Sequence, residues 1–185
     1  MRFNSPDLLY AWQRTGQWPR IHNAIADCVI GEAPAGPLLD LCCSFGLLGE
    51  RLRRQLGIPV VGVERDEAAV KLGQDAGVQM TVEIMPVNRD TLADLAQFVS
   101  GARVKTLVAR RALPELFGHD LELGRDFAVA MRDAGVDEVF LEGRRPTPKA
   151  TNKLASIHDE VALMGAAFRM VALHGAVARM KGQPA

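Results

Sequence analysis

The spacing of apolar positions changes several times along the chain, and each change marks an element. Residues 5–31 carry a helical spacing. Ser5-Pro6-Asp7 is a helix-start signal, and Leu8, Leu9 and Trp12 share one face. Thr15-Gly16-Gln17 breaks the run, and Pro19 opens a second helix through Ile21, Ile25, Cys28 and Val29. The breaker-rich stretch from Gly31 to Pro37 ends this piece. Short apolar runs then alternate with amphipathic ones. Leu38–Cys43, Val60–Glu64, Val78–Ile84, Val104–Ala109 and Val136–Leu141 read as strands. Leu47–Gln55, Asp66–Ala76, Thr91–Ser100, Leu121–Ala134 and Ser156–Ala167 read as helices. Gly57, Gly77, Gly101 and Gly135 close four of them, Asp66 caps one, and Ser156 with Asp159 forms a capping box for the last.

Strands that alternate with helices of this length imply right-handed crossovers and a mainly parallel sheet. The rhythm breaks at the end, where Arg169–Leu173 and Ala176–Met180 flank His174-Gly175 as an antiparallel hairpin. The expected fold is α/β, a doubly wound, mainly parallel seven-stranded sheet. A C-terminal antiparallel hairpin completes the sheet, helices cover both faces, and an N-terminal helical cap precedes it.

Composition narrows the classes. The chain has 185 residues, 48 % of them hydrophobic, which suits one packed core and argues against disorder. Lys+Arg and Asp+Glu number 22 each, which excludes a generally polycationic nucleic-acid coat but not a local basic patch. Three cysteines, two of them adjacent, form no disulfide framework and point to a reducing compartment. The first residues lack the apolar core of a signal peptide, and the tract from Ala162 to Ala178 is interrupted by Arg169 and His174. The expectation is a cytoplasmic protein without a membrane span.

In open α/β sheets the ligand lies beyond the carboxyl ends of the strands, where strand order reverses. The first strand runs there into Asp40-Leu41-Cys42-Cys43-Ser44-Phe45-Gly46-Leu47-Leu48-Gly49, and Glu64 closes the second strand 18 residues after Gly46. An acidic residue so placed can accept two hydrogen bonds from a ribose diol. DLCCSFGLLG followed by VVGVERDE resembles the first two motifs of the class I S-adenosylmethionine-dependent methyltransferases, and the terminal hairpin is similar to the reversed seventh strand of that fold. The resemblance spans Leu38 to Met180 in element order and is sharp over about 30 residues. It implies a single domain over residues 1–185, with residues 1–36 as the cap and 37–185 as a Rossmann-like core. It implies S-adenosylmethionine as cofactor and S-adenosylhomocysteine as product.

The resemblance also assigns positions. Asp40 organises the turn or meets the amino group of the methionine moiety. The turn at Cys42, Ser44, Phe45 and Gly46 lies against the cofactor, Glu64 holds the ribose, Arg65 and Asn88 stand near the adenine, and Arg110 lies near the methionine portion. Cys42 and Ser44 occupy places where the family carries its first two glycines. Neither takes positive φ as freely as glycine, so a somewhat different turn is expected. A dinucleotide oxidoreductase would instead need G-x-G-x-x-G, so that pyrophosphate could lie on bare backbone at a helix N-terminus. A third reading keeps the fold as a non-catalytic scaffold.

Other residues carry plainer readings. Cys42 and Cys43 point to opposite faces and lack a partner pair at zinc spacing, so no metal site is expected. His22, His119, His158 and His174 do not cluster, and Trp12 and Trp18 read as packing in preference to a lid. Glu64 could alternatively belong to a solvated turn with Asp66. Arg110-Arg111 and the run Arg144, Arg145 to Lys149 lie where parallel strands deliver their carboxyl ends. Arg111, Arg144, Arg145 and Lys149 are therefore substrate candidates for a small-molecule or anionic acceptor. The alternative is a solvated basic loop paired with acids such as Glu115, Asp120 and Glu142. Nucleic acid fits the charge, but no motif indicates it. After the fourth strand stands Arg110-Arg111-Ala112-Leu113-Pro114, which is neither the Asn/Asp-Pro-Pro-aromatic motif of amino-methylating nucleic-acid enzymes nor a Pro-Cys nucleophile. The methyl would go to oxygen or nitrogen of an acceptor the sequence does not name, and no catalytic residue can be assigned.

Overall fold

The computed structural model describes residues 6–143 and 153–184. It begins with α1 (Pro6–Thr15), a 3₁₀ turn at Arg20–His22 and α2 (Asn23–Glu32). The core then alternates β1 (Leu38–Leu41), α3 (Leu47–Leu56), β2 (Val60–Glu64), α4 (Glu67–Asp75), β3 (Thr81–Ile84) and α5 (Leu92–Gly101). It continues through β4 (Thr106–Arg110), α6 (Leu113–Phe117), α7 (Leu121–Asp133), β5 (Glu138–Glu142), α8 (Ile157–Met164), β6 (Phe168–His174) and β7 (Val177–Gly182).

The seven strands form one sheet in the order β3-β2-β1-β4-β5-β7-β6. The first five are parallel, and β7 runs antiparallel to both β5 and β6. β1 pairs with β2 on one side and β4 on the other, so the crossover direction reverses there, and in open α/β sheets ligands bind beyond the carboxyl ends of the strands at such a switch point.

Strand alternation splits the core into two layers. Leu39, Leu41, Leu107, Ala109, Val139 and Leu141 face α5 to α8. Leu38, Val108 and Phe140 face the other way, against α1 to α4. The N-terminal helices therefore form part of a layer. Trp12 is buried and stacks on Trp18 at 5.3 Å, with the Arg54 guanidinium 5.9 and 5.7 Å from the two rings. Both tryptophans serve as packing. Arg51 reaches back to Asn23 and Asp27, each at 2.8 Å, and fastens α2 to α3.

Several boundaries differ from the sequence reading. β3 starts at Thr81 because Val78 and Met80 turn inward to pack beneath the first turn. β4 and β5 each start two residues late and end one residue late, so Arg110 and Glu142 are strand residues. α6 has no counterpart in that reading, because five residues with Pro114 in the first turn carry no measurable period. The hairpin turn is Gly175-Ala176: His174 pairs with Val177 inside the ladder, and Gly175 takes φ 63°. The capping box at Ser156 and Asp159 and the Asp66 cap, which accepts from the Ala69 N–H, both form.

Candidate functional site

The turn between β1 and α3 sits at the topological switch. Three alternate residues adopt left-handed backbone: Cys42 (φ 56°), Ser44 (φ 52°) and Gly46 (φ 74°). The turn thus keeps a backbone suited to glycine at all three positions, contrary to the expected change of shape. An L-residue in this region carries roughly 1–2 kcal/mol of strain, so the surroundings must impose the conformation. They do so through hydrogen bonds. The Cys43 N–H donates to the Val63 carbonyl at 3.1 Å, the Gly46 N–H to the Cys43 carbonyl at 2.8 Å, and the Ser44 N–H to Glu64 Oε2 at 2.8 Å.

Side chains leave the turn by different routes. The Phe45 ring and the Cys43 thiol pack into the layer beneath α3, and Cys42 packs against the opposite layer. Burial, reinforced by Glu64 and Asp40, pushes the Cys42 thiol up to about 12, and the same forces raise Cys43. Both remain neutral thiols, as small packing residues do. Among the described residues no group of three or more His, Cys, Asp or Glu is placed to hold a metal.

Two carboxylates flank the turn. Asp40 is 2 % exposed, and its Oδ2 accepts from the Gly49 N–H at 2.8 Å. Burial raises its carboxyl to about 7; the Gly49 bond opposes the rise, and the Glu64 charge adds to it. Glu64 accepts three backbone N–H groups: Ser44 on Oε2, and Arg65 (2.9 Å) and Asp66 (3.0 Å) on Oε1. It ties the first turn to the second, a role the bare motif does not reveal.

The wall at β4 and β5 is also charged. Arg110 Nε donates to the Ile21 carbonyl at 3.0 Å and lies 3.3 Å from Glu142 Oε2. Arg111, at φ 55°, approaches Glu142 Oε1 at 3.8 Å, and its N–H donates to the Glu142 carbonyl at 2.7 Å. Glu142 is buried, so the pairing expected with surface acids occurs inside the protein. Asp120 pairs instead with Arg89 at 3.1 Å. Burial lowers the Arg110 guanidinium and raises the Glu142 carboxyl, while each opposes the shift of the other.

The remaining sequence candidates are spread around this centre. Arg65 is exposed beside Glu64. Asn88 Oδ1 accepts from the N–H groups of Asp90 (2.9 Å) and Thr91 (3.1 Å), so its carbonyl shapes the entry to α5. Arg144, Arg145 and Lys149 lie outside the described residues. The floor of the turn escaped the sequence reading. Met80 Cε and Val78 Cγ1 would each lie 3.0 Å from a Cβ at Gly46, and Met80 Sδ 2.2 Å from one at Gly49. A methionine in a loop before a strand carries no pattern that would announce this contact.

Comparison with known proteins places the architecture. No family model and no curated protein matches the chain. Solved structures do. DesVI of Streptomyces venezuelae is 13 % identical, with all of both chains covered and a TM-score of 0.65. The sugar N-methyltransferase KedS8 of Streptoalloteichus sp. ATCC 53650 is 11 % identical over 98 % of this chain and 94 % of that one, with a TM-score of 0.68. A TehB-like SAM-dependent methyltransferase of Corynebacterium glutamicum is 13 % identical over 97 % and 100 %, with a TM-score of 0.59. The chain has the class I methyltransferase fold.

Proposed function

We propose that this chain binds S-adenosylmethionine at the β1–α3 turn and moves its methyl group to oxygen or nitrogen of a small acceptor. The observation that carries this reading is how the turn spends its donors. The Gly49 N–H in the first turn of α3 is taken by Asp40, and the Ser44 N–H by Glu64. A pyrophosphate needs those donors and would meet two carboxylates instead, which disfavours the oxidoreductase reading. A cofactor with a sulfonium, an ammonium and a ribose diol, and no phosphate, suits the same surface.

The residues present fit that group. Three N–H donors on Glu64 leave acceptor capacity for ribose hydroxyls, since an ionised carboxylate offers about four lone-pair sites. Glu64, and Asp40 when ionised, place negative charge beside a cationic ligand. The Phe45 ring and Cys43 thiol pack into the core layer beneath α3. Arg65 and Asn88 would stand toward the adenine, and Arg110 toward the amino-acid end. When bound, the group supplies an electrophilic methyl for in-line displacement. The protein's part is then to align the acceptor and exclude water. Guanidinium forks such as that of Arg110, at the end of β4, suit an acceptor bearing an anionic group.

Calorimetry with S-adenosylmethionine, S-adenosylhomocysteine and NAD tests the cofactor, and transfer of a radiolabelled methyl to a panel of small alcohols, amines and carboxylates tests the activity. Binding of the first two alone supports the proposal, and binding of NAD alone overturns it in favour of an oxidoreductase. Binding of none leaves a methyltransferase-fold scaffold, the reading that side chains at Cys42 and Ser44 would favour.

A further inference from the structure

Arg110 closes β4, the strand beside β1 at the switch point. Side chains alternate along a strand. Val108 faces the layer of α1 to α4, so Arg110 faces it too, and Nε fixes that direction by donating to the Ile21 carbonyl at 3.0 Å. Asp40 of β1 faces the same layer, where its carboxyl holds the Gly49 N–H of α3. Asp40 lies in register with Val108. Arg110 therefore stands two residues farther toward the carboxyl edge, about 8 Å from Asp40 between Cα atoms.

The Arg110 side chain is 10 % exposed. Among the described residues only its Nε makes a hydrogen bond, and Glu142 Oε2 lies 3.3 Å from that same nitrogen. Nη1 and Nη2 make none, yet they reach solvent, whereas Arg111 Nε, Glu142 Oε2 and His22 Nδ1 around them are enclosed. A guanidinium nine-tenths buried, fastened at Nε and with both Nη groups unspent, presents a rigid fork of donors. A planar carboxylate fills such a fork with two parallel hydrogen bonds. Glu142 already offsets part of the charge, so a single negative charge matches the remainder better than a phosphate dianion does.

The position separates this fork from the cofactor's turn. That turn joins β1 to α3, whereas Arg110 is tied to β5 through Glu142 and to the 3₁₀ turn of the N-terminal cap through Ile21. In-line displacement needs the acceptor across the methyl from the sulfur. We propose that the methyl acceptor carries a carboxylate and that Nη1 and Nη2 of Arg110 hold it, presenting the acceptor's hydroxyl or amine to the methyl. This rests on the methyl-transfer reading above. Arg110 is then a specificity-determining residue that takes acids and rejects their amides.

The test is ¹H–¹⁵N NMR of the arginine Nε–H groups in the full chain saturated with S-adenosylhomocysteine, with Arg110→Lys assigning the Arg110 resonance. The probes are 3-hydroxypropanoate, its amide and inorganic phosphate. The expected result is an Arg110 resonance that moves with the carboxylate and stays put with the amide and with phosphate. In Arg110→Gln, 3-hydroxypropanoate should bind roughly 10–100-fold more weakly, read from the probe's own signals by saturation transfer. No response to the carboxylate overturns the proposal, as does an equal response to the amide or to phosphate, the latter marking a general anion site. Calorimetry distinguishes the cofactor's own carboxylate as the occupant. If Arg110→Gln weakens S-adenosylhomocysteine but not its decarboxylated analogue, Arg110 holds the cofactor and the proposal falls. If S-adenosylhomocysteine does not bind at all, the same titration is read on the ligand-free protein. A carboxylate-specific shift there keeps Arg110 as a carboxylate site while the methyl-transfer reading falls, and no shift removes both.

Discussion

Glu64 Oε2 accepts the Ser44 N–H at 2.8 Å across 20 residues of chain, and this one bond joins the two turns that the cofactor would bridge. Glu64→Ala should therefore act twice. It removes the proposed ligand for the ribose and unties a left-handed residue from its brace. The expected losses are about 1–3 kcal/mol in cofactor affinity and a similar amount in stability. Calorimetry reads the first and denaturant unfolding the second. An affinity equal to that of the parent would take Glu64 out of the binding site.

Cys42 and Ser44 hold positive φ with a side chain attached. Cys42→Gly and Ser44→Gly should each recover part of that strain, offset by the greater freedom glycine has in the unfolded chain. A net gain of up to about 1 kcal/mol is expected, visible as a higher melting temperature. Ser44→Ala keeps the Cβ and should show no such gain. If the glycine variants are less stable than Ser44→Ala, these side chains contribute packing that outweighs the strain.

The buried Asp40 carboxyl, raised from 3.8 to about 7, gives stability a defined pH dependence. In this window the folded protein binds more protons than the unfolded one. The contribution is fully present below the unfolded value and is lost as pH rises through about 7. Asp40→Asn retains an oxygen for the Gly49 N–H and removes the titration. Its stability relative to the parent should rise between pH 4 and pH 7.5, by at most about 4 kcal/mol. His22 works in the opposite sense over an overlapping range. Its lowered value means stability is lost as pH falls below the ordinary histidine range toward 3. Unfolding of Asp40→Asn and His22→Gln across that range separates the contributions; parallel curves for Asp40→Asn and the parent would refute the Asp40 assignment.

Two glycines differ in what blocks a methyl group. At Gly49 a Cβ would meet Met80 Sδ at 2.2 Å, the middle of a flexible side chain, and Asp40 Oδ2 at 2.9 Å. At Gly73 it would meet the Phe45 carbonyl oxygen at 2.1 Å, which is backbone of the strained turn itself. Gly73→Ala should cost more stability than Gly49→Ala, above about 3 kcal/mol against about 1–3. It should also weaken cofactor binding, because α4 would be pushed off the turn. Equal costs would mean that the turn yields as easily as Met80.

The alternation of short apolar runs with amphipathic helices was enough to read the parallel order of β1 to β5. Burial on both faces leaves β1, β4 and β5 no solvent-facing side, and the helices between them need one. Asp66, Ser156 and Asp159 marked their helix starts because capping is settled by atoms within one turn of chain. The five-residue α6 and the true hairpin turn at Gly175-Ala176 were missed, since a single turn of helix has no period and a one-residue shift preserves the apolar pattern.

The linear sequence was sufficient for the class of fold, the switch point at β1 and the acidic residue closing β2, all of which follow from local patterning and chain order. It could not show that Cys42 and Ser44 would be held in a glycine conformation, that Glu64 would spend three of its acceptor sites on backbone, or that Glu142 would be buried between two arginines. Those outcomes depend on groups distant in sequence. A carboxylate takes whichever donors the packed strands deliver, and backbone strain persists only where tertiary contacts exceed its cost.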